Sequence, residues 1–367
     1  MAGNGWAVQM KLAIYTHNLS GGGAGRVVLS LLEPLQHLGA QVTLLLHRCE
    51  GELVSMLPRS IRAVDFHTTR TINDFLPLAS YLRSERPDVL LANLSQNNVV
   101  ALLAKTLTRA VTRLYICQHD ALSQECDSEA TLDYRVIPRV YHYLAQSADR
   151  IIAVSKGVAD DLERTCQIEA GQITTIYNPV IGPDFADKAM ERIDHPWIDG
   201  AEPLFVSATQ LATQKGHATL LHALARVPDA RLLILGAGYE REQLEALTDT
   251  LGLDERVAFL GFVANPLPYI RAATALVLTS TYEGFGNGIV EALGCGTPVI
   301  ATDCPYGPAE ILANGRYGTL VPVGDVEALA SVMRQPPVWD RVELQARATE
   351  FTVDRAAQEY FALLSQS

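Results

Sequence analysis

The chain has 367 residues, 48% of them apolar and 19% charged, with a formal charge of −12. That length exceeds one ordinary core and predicts two domains, while the balance of residue types excludes a disordered chain. The acidic charge argues against nucleic acid as a partner, and the longest apolar runs fall short of a membrane span.

Charge is spread unevenly. Residues 1–185 carry 16 Lys+Arg against 18 Asp+Glu, and residues 186–367 carry 13 against 23. Any anionic surface would meet the first half. The opening "MAGNGWAVQM" lacks the basic start and apolar core of a signal peptide and reads as a leader before the first strand. Cys49, Cys117, Cys126, Cys166, Cys295 and Cys304 show no C-x-x-C or zinc spacing, which suits reduced, mostly buried thiols in a cytoplasmic protein.

Along the chain, "KLAIY", "QVTLLLH", "IRAVDF", "DVLLAN", "RLYICQH", "DRIIAVS" and "ITTIYNP" read as seven buried strands. Helical patterns separate most of them, such as "GRVVLSLLEPLQHLG", which stops at Gly39. This alternation predicts a parallel sheet with helices on both faces. "NPVIGPDFADKAMERIDHPWIDGAEP" breaks the pattern and reads as a linker. The alternation restarts with "LFVSAT", "RLLILGAG", "VAFLGF", "ALVLTS", "TPVIATD" and "GTLVP", a second, smaller doubly wound sheet. A final amphipathic helix follows Thr352. The expected fold is α/β, two Rossmann-like doubly wound domains, 1–185 and 186–351, facing a cleft. The helix at about 352–367 is a candidate to pack back on the first of them.

The stretch "YEGFGNGIVEALGCG" carries the chemistry. It follows "ALVLTS" and so lies at a strand's carboxyl end, where open α/β sheets bind ligands. Its glycines allow close backbone approach, and a helix beginning near Asn287 would aim free N–H groups at an anion. A glycine-rich turn with no ligand would look the same, so the glycines alone do not decide. Glu283 and Glu291 bracket the turn. About 12 Å of helix would separate their backbones, more than suits an acid/base pair on one glycosidic bond, at about 5–9.5 Å. They read better as two hydroxyl-binding carboxylates, one at each end of a diphosphate. For Glu291, a glutamate serving its own helix dipole is the plainer alternative.

Glu-x7-Glu with its embedded Gly-Phe-Gly and trailing "EALGCGTPVIATD" resembles the GT-B retaining glycosyltransferases of family 4. "SGGGAGRVV", "ADRIIAVSKGVADDL", "TIYNPV", "QKGHATLLHAL" and "DCPYGPAEIL" with "GRYGTLVPVGD" follow in that family's order, the last resembling its branch for lipid-linked and surface glycans. The resemblance implies transfer of a hexose or N-acetylhexosamine from a nucleotide sugar, UDP-sugar favoured, to the hydroxyl of a glycan or lipid-linked acceptor. Retention would follow from the leaving phosphate itself taking the acceptor proton.

By the same resemblance, Glu291 holds the ribose, Glu283 reaches the donor sugar, and the Gly286–Asn287–Gly288 turn caps the diphosphate with backbone N–H groups. Lys215 neutralises the leaving phosphate, and Gly22 and Gly23 bring the first domain's backbone to the phosphate side. His119 contacts the donor sugar from the first domain, and Val263 reads the base. His119 paired to Asp120, and Lys215 as a solvated lysine, are the structural alternatives. Many relatives have Gly-Arg-Leu where this chain reads Thr209-Gln210-Leu211, so a phosphate-binding arginine is missing. Arg26 and Arg316 are candidate substitutes, since Gln cannot supply the charge.

No Asp-x-Asp occurs, so no metal and no cofactor beyond the nucleotide-sugar substrate is expected. Lys105, Arg109 and Arg113 recur at i, i+4, i+8 and would share one basic helix face if the helix runs that far, a candidate for peripheral contact with anionic lipid at the inner face of the cell membrane; a solvated face is the alternative, and the strand "RLYICQH" beginning at Arg113 weakens the third position. Other readings are the same fold with a GDP-, ADP- or dTDP-sugar, a non-catalytic nucleotide-binding paralogue, and an NAD-dependent oxidoreductase. The last is disfavoured because "GGGAG" lacks G-x-G-x-x-G spacing.

Overall fold

The structure is a computed structural model and describes residues 10–20, 22–128, 132–198, 200–336 and 338–366, without the side chains of 126–128 and 132–135. The leader read before the first strand, Gly21 of the glycine loop and the Cys126 side chain lie outside the described residues. Two compact units are present. One is built from the chain up to Pro179 together with the segment from Val353, the other from Val180–Thr352.

The first unit is a seven-stranded parallel sheet: β1 (Met10–Thr16), β2 (Ala40–Leu46), β3 (Arg62–Asp65), β4 (Val89–Asn93), β5 (Arg113–Gln118), β6 (Arg150–Ala153) and β7 (Ile173–Thr175). Their order is β3-β2-β1-β4-β5-β6-β7, so the winding reverses between β1 and β4. Every residue of β4 is buried, as a strand covered on both faces requires. Helix Gly23–His37 buries Val27, Val28, Leu31, Leu32 and Leu35, a single apolar stripe. Gly39 then turns the chain with φ 107°, which favours glycine.

Helix Val353–Leu364 lies against Gly23–His37, so the chain's last element completes its first unit. Tyr360 is buried there, with its hydroxyl 3.4 Å from Cys117 Sγ, and the Tyr115 hydroxyl donates to the Leu363 carbonyl at 3.1 Å.

The second unit is a six-stranded parallel sheet: β8 (Leu204–Ala208), β9 (Arg231–Leu235), β10 (Val257–Gly261), β11 (Ala275–Leu278), β12 (Val299–Thr302) and β13 (Thr319–Val321). Their order is β10-β9-β8-β11-β12-β13, reversing between β8 and β11. Its core joins Phe205, Leu232, Ile234 and Val277 of the strands to Leu220, Leu221, Leu329 and Met333 of the covering helices.

The chain enters the second unit at Val180, a few residues before the expected boundary at 185. The backbone N–H groups of Val180 and Ile181 both donate to the Phe351 carbonyl at 3.0 Å, and Ile181 bridges Thr352. Incoming and outgoing segments thus pair with each other inside this unit. The stretch read as a linker is partly packed. Phe185, in the short helix Phe185–Ala189, sits where a Cβ on Gly294 would fall 2.7 Å from its ring, so only glycine leaves it room.

The expected basic helix face does not form. The helix stops at Thr108, Arg109 takes a left-handed cap conformation (φ 51°), and Arg113 opens β5. The Lys105 ammonium donates to the Thr112 carbonyl, and the Arg113 guanidinium donates to that of Gln366. The carbonyls of Thr112, just before β5, and of Gln366 therefore take up two of the three cations. No helix among the described residues is long and apolar enough to cross a membrane.

Candidate active site

At the reversal between β8 and β11, two strand ends part and leave the position where such sheets bind ligands. The chain after β11, Thr279 to Gly286, runs into helix Asn287–Cys295. Gly286 stands before that helix with φ 107°, a backbone state that only glycine adopts without strain. Gly286 has no side chain with which to cap the helix, whose first turn opens with Asn287 and Gly288. Asn287 and Gly288 are half-buried. A Cβ on Gly288 would lie 3.7 Å from the Ala208 carbonyl, which puts this helix tip over the end of β8.

Lys215 enters from the other side of the reversal. Gly216 follows it in the left-handed region (φ 64°), and a Cβ there would come within 2.3 Å of the Thr279 carbonyl. The Thr279 hydroxyl donates to the Lys215 carbonyl at 2.9 Å, and Thr281 N–H donates to the Gln214 carbonyl at 2.7 Å. These bonds tie the lysine's backbone to the loop after β11. Its ammonium then donates to Glu283 Oε1 at 2.7 Å. Ser280 Oγ donates to the same carboxylate oxygen at 2.6 Å. Glu283 is buried, so two donors on one oxygen compensate its lost hydration.

The loop is braced from below. Thr302, at the end of β12, donates to the Ser280 carbonyl at 2.5 Å, and Glu283 N–H donates to the Pro305 carbonyl at 3.2 Å. Gly307 (φ 81°) lies so close to Phe285 that a Cβ would overlap its carbonyl. A carboxylate, an ammonium and a helix N-terminus are thereby held on one rigid corner. The arrangement can bind a diphosphate and a hydroxylated ring beside it.

The other residues singled out by sequence spread over both units. Glu291 is half-buried one turn into the helix, and Val263 is half-buried just beyond β10. Gly22 caps helix Gly23–His37 without a side-chain bond, and both Gly22 and Gly23 are exposed. A Cβ at Gly22 would meet nothing, whereas one at Gly25 would fall 2.8 Å from the Ser20 carbonyl, so fold geometry demands glycine at 25. Gln210 is exposed. Arg26 lies in the first unit, in the first turn of Gly23–His37, and Arg316 is exposed with its guanidinium over the Tyr317 ring at 5.1 Å.

His119 lies just past β5 and is buried, with Nε2 3.1 Å from Asn93 Oδ1. The strand-end alternative of a pair with Asp120 is thus replaced by a pair with Asn93, the last residue of neighbouring β4. His119 Nδ1 is buried with no hydrogen-bond partner, and burial lowers its pKa to about 4. At this depth it is a neutral imidazole.

Sequence reading passed over His217 and Ser280. His217 is buried with Nε2 3.1 Å from Thr209 Oγ1, and burial, then the nearby Lys215 charge, lowers its pKa to about 4. The signal for both was position: each directly follows a residue or strand already picked out. Cys304, two residues past β12, has its thiol pushed up to about 12 by burial and by the Glu283 charge. Cys117, Cys166, Cys295 and Cys304 are buried free thiols, while Cys49 is exposed.

Comparison with known proteins agrees with the fold. The family model for Glycosyltransferase Family 4 matches residues 21–181, and that for Glycosyl transferases group 1 matches residues 191–336. The N-acetylgalactosamine-N,N'-diacetylbacillosaminyl-diphospho-undecaprenol 4-alpha-N-acetylgalactosaminyltransferase of Campylobacter jejuni is 29% identical over 340 residues, covering 87% of this chain and 88% of that protein. The lipopolysaccharide 1,6-galactosyltransferase of Salmonella typhimurium is 32% identical over 185 residues, 49% of this chain and 50% of that one. Among solved structures, Anabaena HepE in complex with UDP superposes with a TM-score of 0.79 at 25% identity, covering 97% of this chain and all (100%) of HepE. Two matching domain models in tandem, similar enzymes along nearly the full length and the shared architecture place the chain in the family 4, group 1 glycosyltransferases of GT-B fold.

Proposed function

We propose that this glycosyltransferase moves a hexose or N-acetylhexosamine from a UDP-sugar to an acceptor hydroxyl, with retention and without a metal, in lipid-linked or surface glycan synthesis at the cytoplasmic face of the membrane. The observation that carries the reading is the Lys215–Glu283 pair, held in the loop that leads into helix Asn287–Cys295. An ammonium has three N–H donors and can serve more than one anionic oxygen at once. Because Glu283 already orients it, little side-chain order remains to be imposed when the diphosphate arrives. In this reading Glu283 also meets the donor sugar, Glu291 the ribose and Val263 the base.

The bond from the anomeric carbon to the β-phosphate oxygen breaks as the acceptor oxygen bonds to that carbon. The acceptor proton passes to the departing phosphate oxygen on the same face. Amides of Asn287 and Gly288 with Lys215 stabilise the charge that develops, the role electrostatic preorganisation plays elsewhere. His119 belongs to the first unit, and motif order supports its part in turnover. The UDP preference is supported by HepE, solved in complex with UDP, and the acceptor class by the lipid-linked and lipopolysaccharide names of the relatives. Among the described residues no group of three or more His, Cys, Asp or Glu side chains could hold a metal ion.

Thermal shifts with UDP, GDP, ADP and NAD test the donor, with the largest shift expected for UDP. Turnover of UDP-sugars should persist in EDTA and fall by about two orders of magnitude in Glu283→Ala and Lys215→Ala. Undiminished turnover in those variants would remove the assignment. A larger shift with GDP or ADP would move the donor to that nucleotide on the same fold.

A further inference from the structure

A second cluster of polar groups occupies the carboxyl end of the first unit's sheet, and the donor chemistry above leaves it unused. β1 and β2 run parallel with Thr16 opposite Leu46, so the next residues, His17 and His47, emerge side by side. The backbone ladder continues past the strands, with His47 N–H donating to the Thr16 carbonyl at 3.2 Å and Arg48 N–H to that of His17 at 3.1 Å. The two imidazoles stack, with centroids 4.5 Å apart and planes 14° from parallel.

Asp74, fully buried, lies behind the stack. It accepts from the Tyr15 hydroxyl at 2.6 Å, from His47 Nδ1 at 2.9 Å and from the Thr68 hydroxyl. Burial, then the Asp74 charge, holds the Tyr15 phenol well above its ordinary range, so it stays a donor. A carboxylate with three donors around it takes the Nδ1–H of His47. In the neutral imidazole the lone pair then sits on Nε2, for which no hydrogen bond is formed among the described residues. His17 Nδ1 lies 3.3 Å from Thr71 Oγ1, whose hydroxyl also reaches Gln96 Oε1 at 3.1 Å. Burial, then His47, lowers the His17 pKa, against weaker upward pulls from Asp74 and Glu50.

The sheet's winding reverses between β1 and β4, beside this stack. Thr16 Oγ1 is buried there with no hydrogen-bond partner among the described residues, and the Asn97 amide lies beside the Tyr15 hydroxyl. A neutral lone pair on a fixed imidazole, with hydroxyl and amide groups nearby and a buried carboxylate behind, suits an uncharged polyhydroxyl ligand. It suits a phosphate poorly, since Asp74 already balances any cation formed on the stack.

We propose that the Asp74–His47 dyad with stacked His17 is a hydroxyl-binding subsite for a carbohydrate, His47 Nε2 accepting a sugar hydroxyl and so orienting the glycan acceptor. This deepens the glycosyltransferase reading and rests on it for the word acceptor. His47 is a positioning residue here, and Asp74 acts through it.

The full chain, labelled with 15N at histidine, tests this directly. Long-range 1H–15N spectra should show His47 as the Nδ1–H tautomer. Methyl α-N-acetylgalactosaminide and methyl α-galactoside, titrated to about 100 mM, should shift the His47 and His17 ring signals saturably, a range that captures even weak binding. Inorganic phosphate should not. His47→Phe, which keeps bulk and stacking, should raise the half-saturating glycoside concentration roughly tenfold or abolish the shift. Its thermal shift with UDP should stay as in the wild type, showing that the variant folds. His47→Gln, which keeps an acceptor atom, should retain part of the response. An Nε2–H tautomer, a response to phosphate alone, or no response to either glycoside would each overturn the proposal. Loss of the UDP shift in the wild type would instead sink the donor reading and leave the glycoside result standing.

Discussion

Lys215 donates to Glu283 across 2.7 Å, with only 15% of the lysine side chain and 8% of the glutamate side chain exposed. Each charge is therefore the other's main replacement for water, and each is unsafe to remove alone. Lys215→Met or Glu283→Gln should cost about 1–3 kcal/mol of stability in chemical denaturation, a fully buried pair's penalty discounted for partial exposure. The double variant should recover a large part of that loss. If its destabilisation equals the sum of the two singles, the residues are not energetically coupled and the preorganised ammonium goes with them.

Gly216 tests how the lysine is placed. Its φ of 64° and the 2.3 Å approach of a would-be Cβ to the Thr279 carbonyl leave no room for a side chain. Gly216→Ala should destabilise the second unit by about 1–3 kcal/mol and also weaken the UDP thermal shift, because the backbone carrying Lys215 must move. A stability loss with an unchanged UDP shift would separate the lysine from nucleotide binding.

The glycine loop of the first unit separates folding from function. Gly25→Ala should lower stability, since its Cβ would crowd the Ser20 carbonyl at 2.8 Å. Gly22→Ala should fold as well as the wild type, because φ is −73° and nothing lies within 4 Å of the added carbon. Its turnover should nonetheless fall if Gly22 admits a phosphate. Full activity in Gly22→Ala, measured as nucleotide release, would end that role.

Two buried neutral histidines set the acid side of stability. Burial lowers the pKa of His119 and His217 to about 4, from about 6.5 for an exposed imidazole. Between those values the unfolded chain binds protons that the native one refuses, so stability is intact above pH 6.5 and falls as pH drops toward 4. Each residue can contribute a slope of about 1.4 kcal/mol per pH unit there, roughly 3 kcal/mol in all. Denaturation of the wild type and His217→Gln at pH 7.5 and 4.5 measures the share of His217. The variant should lose less stability on acidification, and equal losses would show that His217 is protonated when folded.

From residues alone came both parallel sheets, the helix after Gly286 and the Glu283 turn, because those rest on local pattern. Buried strands are β-branched runs, and a helix start announces itself through its glycines. The group identities at the donor corner were legible for the same reason: Lys215 and Glu283 each sit in a short motif. Their bond was not legible, since it joins residues 68 apart and depends on β8 and β11 being neighbours at the reversal. The same holds for His17, His47 and Asp74, which no motif links: the register of β1 on β2 brings the histidines together, and the short helix Thr71–Asp74 brings in the carboxylate. The basic stripe failed for the complementary reason. Helical periodicity assumes the helix goes on, and here it ends at Thr108, and the Lys105 ammonium turns to the Thr112 carbonyl beyond it. Local pattern thus determined which elements form; strand order and where each element stops decided which side chains could meet.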